Sequence, residues 1–197
     1  MGISEIIARR FGMASSVLHP IHLVVFAIIL IFPWTGMAGS QAGVPREYQV
    51  KAVFLFNFAQ FVDWPATAFS GPDAPLKLCV LGDDPFGPAL QEAVRGETIG
   101  NRRLEAQHSR RIEDLMNCQM LFISKSEEDH IGEILAELDP MAILTVSEVE
   151  GFARRGGNIN FYLEENKVRF EINPDTAQNR GIKMNAQLLS LGKIVRR

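Results

Sequence analysis

Short apolar runs and helical segments alternate from residue 76 onward, and this order constrains the fold more than any other feature of the chain. Residues 76–81 are almost continuously apolar, as expected of a strand buried on both faces. Gly82-Asp83-Asp84-Pro85 follows. Asp84 suits a helix N-cap and Pro85 a first helical position, which predicts a short helix over 85–95 closed by Gly96. Residues 103–108 read as a weaker strand and 120–123 as a short apolar one. Ser126, Glu128 and Asp129 open a helix running to about Leu138, and 142–146 form the next strand. Strand, helix, strand, repeated, implies parallel pairing with right-handed crossovers. After Gly156-Gly157 the pattern changes. Alternating runs over 158–163 and 167–172 flank Glu165-Asn166, predicting an antiparallel hairpin that extends the sheet at one edge. Asn173-Pro174 ends it, and 175–195 read as helical with a break near Gly181. The fold class is therefore α/β: one domain with a mostly parallel sheet flanked by helices, a C-terminal hairpin and a C-terminal helix. A length of 197 residues also favours one domain.

Ahead of this alternation, residues 46–64 form one very apolar helical pattern ended by Pro65. Val50, Phe54, Phe58, Phe61 and Val62 are expected to point inward, leaving a polar stripe of Arg46, Gln49, Asn57, Gln60 and Asp63. Val53 and Phe56 fall inside that stripe, where a bare aromatic ring is costly unless something covers it. Either another part of the chain lies over them, or Phe56, Val53, Gln49 and Gln60 mark a face for a partner or a second copy.

The N-terminus carries an export pattern. Arg9 and Arg10 precede an apolar stretch whose unbroken core, residues 23–32, is 10 residues long. A membrane-spanning helix needs ~20. Pro33 and Gly36 follow, then small residues that fit cleavage after Ala38 or Ala42. Residues 1–38 are read as a signal peptide, with an uncleaved anchor as the alternative; 39–45 as a linker; and 46–197 as the folded domain. Export to the periplasm bears on Cys79 and Cys118, the chain's two cysteines. In an oxidising compartment two remaining thiols are expected to pair, although separate buried thiols remain the alternative. Pairing would place strands 76–81 and 120–123 side by side.

Composition and motifs exclude several chemistries. A net charge of -3 and a pI near 5.8 do not suit a nucleic-acid binder. No G-x-S-x-G surrounds a serine, and the region after the export segment holds only His108 and His130, so no catalytic triad, no enzymatic activity and no cofactor are expected. No metal site is expected either, because the acids at 83–84 and 127–129 are explained as helix-start charges. The turn after strand 76–81 sits where phosphate cradles occur, but two aspartates occupy the anion position. Asp83, Asp84 and Phe86 remain candidates for a pocket taking a cationic or neutral small molecule.

Taken together, several stretches resemble one family. They are Lys51-Ala52-Val53-Phe54-Leu55-Phe56-Asn57-Phe58-Ala59, Phe61-Val62-Asp63-Trp64-Pro65 and Leu78-Cys79-Val80-Leu81-Gly82-Asp83-Asp84-Pro85-Phe86-Gly87. To these add Leu144-Thr145-Val146-Ser147, Gly151-Phe152-Ala153, Gly156-Gly157, the hairpin segment 166–173 and Gln187-Leu188-Leu189. The combination resembles the YfiR family of periplasmic proteins over nearly all of the exported part. The resemblance implies a non-enzymatic repressor that binds the periplasmic domain of an inner-membrane diguanylate cyclase or sensor, lowering cyclic-di-GMP and biofilm formation. It also implies sequestration by an OmpA-like lipoprotein, and it matches Cys79 and Cys118 to a disulfide of that family. Some members carry a second cysteine pair near the hairpin; here 151–160 contain none. The alternative function is a periplasmic small-molecule-binding module serving a sensor kinase.

Overall fold

The computed structural model describes residues 44–196. The export segment expected over 1–38 and most of the linker expected over 39–45 lie outside the described residues.

Helix α1 spans Arg46–Gln60 and buries Lys51, Ala52, Leu55, Phe58 and Ala59. Their spacing is that of one helical face, but it is rotated from the expected one, because Val50 is 39% exposed. The helix also stops short of the expected Trp64. The Phe61 amide donates to the Phe58 carbonyl, and Val62–Asp63 become strand β1. This two-residue strand pairs antiparallel with β9, Lys183–Met184, in register Val62↔Met184. The Asn185 amide then satisfies the Phe61 carbonyl at 3.0 Å. Burying β-branched Val62 in a strand pair outweighs continuing the helix.

The parallel core is assembled from β2 (Leu76–Leu81), β4 (Arg102–Ser109), β5 (Met120–Ile123), β6 (Leu144–Ser147) and β7 (Ile159–Glu164). Antiparallel to β7 runs β8, Lys167–Ile172, across a two-residue turn in which Glu165 and Asn166 both have positive φ. Strands β3 (Thr98–Ile99) and β10 (Lys193–Ile194) complete a sheet of order β10-β8-β7-β6-β5-β2-β4-β3. The hairpin is therefore not the outermost element; β10 adds outside it, parallel to β8.

Helix α2 spans Pro88–Val94 between β2 and β4, and α3 spans Ile131–Leu138 between β5 and β6. One connection moves across the sheet in the opposite direction to the other. Right-handed crossovers therefore set the two helices on opposite faces. Side-chain alternation along the strands agrees. Leu78, Val80, Met120 and Phe122 pack with α1 and α2, whereas Cys79, Leu81, Leu121 and Ile123 pack with α3. Cys79 and Cys118 form a disulfide on the α3 face, Cα atoms 6.1 Å apart, beside adjacent β2 and β5 as expected.

Three further boundaries differ from the sequence expectation. The helix expected to open at Ser126 begins at Ile131, after a tighter 3₁₀ segment over Lys125–His130. Helix α2 begins at Pro88, not Pro85, because the Asp84 carboxylate accepts from the Phe86 amide and closes a turn. The segment expected to be helical over 175–195 contains α4 (Pro174–Asn179), β9, α5 (Ala186–Leu191) and β10. Asn173 and Asn185 cap the two short helices with their side-chain oxygens.

The connection from β6 to β7 is held by buried amides. Asn158 accepts from the Thr145 backbone and hydroxyl at 2.9 and 3.0 Å and donates to Thr176. Asn160 donates to the Val149 carbonyl, and Asn173 to that of Ala153. These amides fasten the segment that runs from β6 to β7.

Candidate functional site

Two surface features meet at α1: a charged cleft and an apolar strip. The cleft opens at the carboxyl ends of β5, β6 and β7, where open α/β sheets usually place ligands. It measures about 610 Å³ and is lined by α1, by Lys125 after β5, by Glu148 and Glu150 after β6, and by β7.

Its inner wall is an ion-pair network. Lys51 lies on the buried face of α1, and its side chain is 2% exposed. Burial of an ammonium is costly unless it is paired and hydrogen-bonded. Two carboxylates meet that need, Glu47 one turn earlier and Glu148 just beyond β6. The Tyr48 hydroxyl donates to the other Glu148 oxygen at 2.9 Å. Burial, and then the Glu148 charge, push the Tyr48 phenol well above its ordinary pKa, so it stays a donor. The ammonium also lies 4.7 Å from the Tyr48 ring centroid. Further out, Arg154 pairs with Glu171 at 3.4 Å. Charges of both signs thus line the cleft, which suits recognition of a polar molecule. It does not supply an activated nucleophile. Among the described residues, no group of three His, Cys, Asp or Glu side chains is placed to hold a metal ion.

The apolar strip faces outward from α1. Val53 is 52% exposed and Val50 is exposed beside it. With Phe54 they form a shallow groove of about 370 Å³, rimmed by Arg46, Gln49 and Asn57. A second groove continues from Val50 and Phe54 to the hairpin, where Leu163 is 53% exposed and Val168 half-buried. Phe54 is the floor of the strip, its ring 5.6 Å from Phe170 and 6.0 Å from Phe161. Exposed apolar side chains that adjoin along a helix and a hairpin are the surface feature associated with partner binding.

Of the residues singled out in sequence, Val53 and Gln49 lie on or beside this strip, and Gln60 is exposed at the helix end. Phe56 is half-buried and packs against the core, so the chain itself covers much of its ring. The pocket candidates separate. Asp83 is exposed and pairs with Arg110 at 2.7 Å. Asp84 closes its turn. Phe86 is fully buried between the rings of Tyr48 and Phe122, at 5.8 and 4.8 Å. It is a core residue.

Sequence reasoning missed Lys51, Glu148, Phe54 and Leu163. A signal for Lys51 was present: it shares a helical face with Leu55 and Phe58, so a cation was written onto the buried side. Glu148 carried no such mark, since it meets Lys51 only in the folded chain.

Compared with known protein families, residues 48–193 match the family model described as YfiR/HmsC-like.

Proposed function

This chain belongs to the YfiR/HmsC-like family, and from that premise we propose that it is a periplasmic, non-enzymatic regulator that binds and represses a membrane signalling protein, a diguanylate cyclase. The observation that carries this reading is the apolar strip of Val50, Val53, Phe54 and Leu163, which runs from α1 to the hairpin and is edged by Arg46, Glu47 and Lys167. The disulfide supports an oxidising compartment. No helix among the described residues is long and apolar enough to cross a membrane.

Repression would work by population shift, the regulator binding one state of the cyclase's periplasmic domain more tightly than the other. Moving such an equilibrium from mostly active to mostly inactive takes ~5.5 kcal/mol of differential affinity. Val50, Val53 and Leu163 each have about half their surface left to bury, worth ~1 kcal/mol apiece. Their total falls short, so the charged rim at Arg46, Glu47 and Lys167 must supply the remainder. An OmpA-like lipoprotein presenting an apolar side chain to the same strip would compete for it and relieve repression.

The test is co-purification of the exported chain from solubilised membranes, with mass spectrometry of the bound protein. Recovery of a membrane cyclase with the parent chain, and its loss with Val50→Glu/Val53→Glu at unchanged Tm, is the expected result. Recovery of no membrane sensor would overturn the reading, and undiminished recovery by the double variant would remove the strip from it.

A second reading, a small-molecule-binding module serving a sensor kinase, is favoured by the 610 Å³ cleft with its mixed charges. Thermal-shift screening with amino acids and nucleotides tests it, and protection abolished by Glu148→Gln would bring it forward.

A further inference from the structure

A separate cavity of about 460 Å³ lies between α3 and α4, lined on the α3 side by Gly132, Leu135, Ala136 and Asp139. Arg180, which follows α4, lines it. Its side chain is 4% exposed, yet its nearest acid is Asp139, 3.5 Å away and itself 80% exposed. That is longer than the ~2.7–2.9 Å of a strong guanidinium–carboxylate hydrogen bond. The Nη1 atom is buried and has no hydrogen-bond partner among the described residues. Arginine does not escape such a position by losing its proton under ordinary conditions. Burial does push its pKa below the ordinary arginine value, with only Asp139 opposing the shift. A buried, under-paired cation calls for a compensating anion.

The other walls fit one. Arg155 is exposed at the cavity and makes no ion pair among the described residues. Two arginines against one aspartate leave the cavity one positive charge in excess. Thr176 and Asn179 add polar side chains, and at Gly132 nothing lies within 4 Å of where a Cβ would stand, so the wall is open there.

We propose that this cavity binds a small oxyanion, phosphate or carboxylate, with the Arg180 guanidinium as its anchor and Arg155 as a second contact. A planar guanidinium offers paired donors that match two oxygens of either group. The site is independent of the apolar strip and of the repression reading.

The test is thermal unfolding and titration calorimetry of the exported chain in chloride buffer at fixed ionic strength, with inorganic phosphate, sulfate or acetate added. Saturating anion is expected to raise Tm by about 5 °C. Protection by phosphate and sulfate identifies a tetrahedral oxyanion, and protection by acetate a carboxylate; either supports the site. Arg155→Gln should weaken binding about tenfold, and Arg180→Gln should abolish it. Should Arg180→Gln fail to fold, Gly132→Leu fills the open wall without touching Arg180 and should likewise abolish protection. No protection by any of the three anions, or protection undiminished in both Arg155→Gln and Gly132→Leu, overturns the proposal.

Discussion

Lys51 on α1 and Glu148 beyond β6 are joined by an ion pair whose ammonium is almost wholly removed from water. The pair ties the first helix to the carboxyl edge of the sheet and forms the wall that separates the charged cleft from the aromatic core. Glu47 holds the same ammonium from within the helix. Lys51→Ala should therefore cost ~3 kcal/mol, since it strands two carboxylates beside a cavity. Lys51→Met combined with Glu47→Gln and Glu148→Gln should recover most of that loss, because no charge remains to be desolvated. Urea unfolding decides between outcomes. A single variant within ~0.5 kcal/mol of the parent would mean that the network adds nothing to stability.

The disulfide should matter more through the unfolded chain than through native contacts. It closes a sequence separation of 39, for which loop entropy gives ~4 kcal/mol. In a domain of this size that corresponds to a Tm loss on the order of 10 °C for Cys79→Ala/Cys118→Ala. Both cysteines are buried, at 1% and 2% exposure. Reduction of the native protein should accordingly be slow and follow unfolding, and alkylation after mild reductant is the measurement. Rapid alkylation of both thiols in the folded protein would show that the α3 face opens.

Gly157 carries a packing constraint that its sequence neighbours conceal. A Cβ there would meet Phe152 Cε1 at 2.1 Å, and the Phe152 ring is fully enclosed. Gly157→Ala should lower stability by ~1–3 kcal/mol from overpacking. Phe152→Leu in the same chain should restore part of that loss, and a double-mutant cycle measures the coupling.

How far the sequence disclosed this molecule follows from which interactions are local. The strand runs at 76–81 and 120–123 were plain because buried parallel strands are apolar throughout, and the hairpin because two alternating runs flank a two-residue polar turn in which Asn166 tolerates positive φ. The end of α1 was misplaced because Val62 answers to Met184, a partner more than a hundred residues away. The rotation of α1 has the same origin: a helical wheel ranks Lys51 as polar, whereas the fold buries it against Glu148. Phe86 looked available because it follows a loop, but its ring is claimed by Tyr48 and Phe122. The cleft and the Arg180 cavity are lined by residues from widely separated segments, so neither had a local signature.

Tyr48 offers a test through alkaline titration. Its protonated hydroxyl donates to Glu148, and burial, followed by that carboxylate's charge, raises its pKa in the folded chain. Unfolded, the phenol titrates near its ordinary value of ~10. The unfolded chain therefore gives up this proton first, and stability falls as pH climbs past that value. The contribution is complete below pH ~10 and is lost on the way up to the folded pKa. Tyr48→Phe should begin ~1 kcal/mol less stable at neutral pH, for want of the hydrogen bond, and then decline less steeply under alkaline conditions. Tm profiles of the two proteins should converge above pH ~10; parallel profiles would show that the cleft wall does not hold Tyr48 protonated.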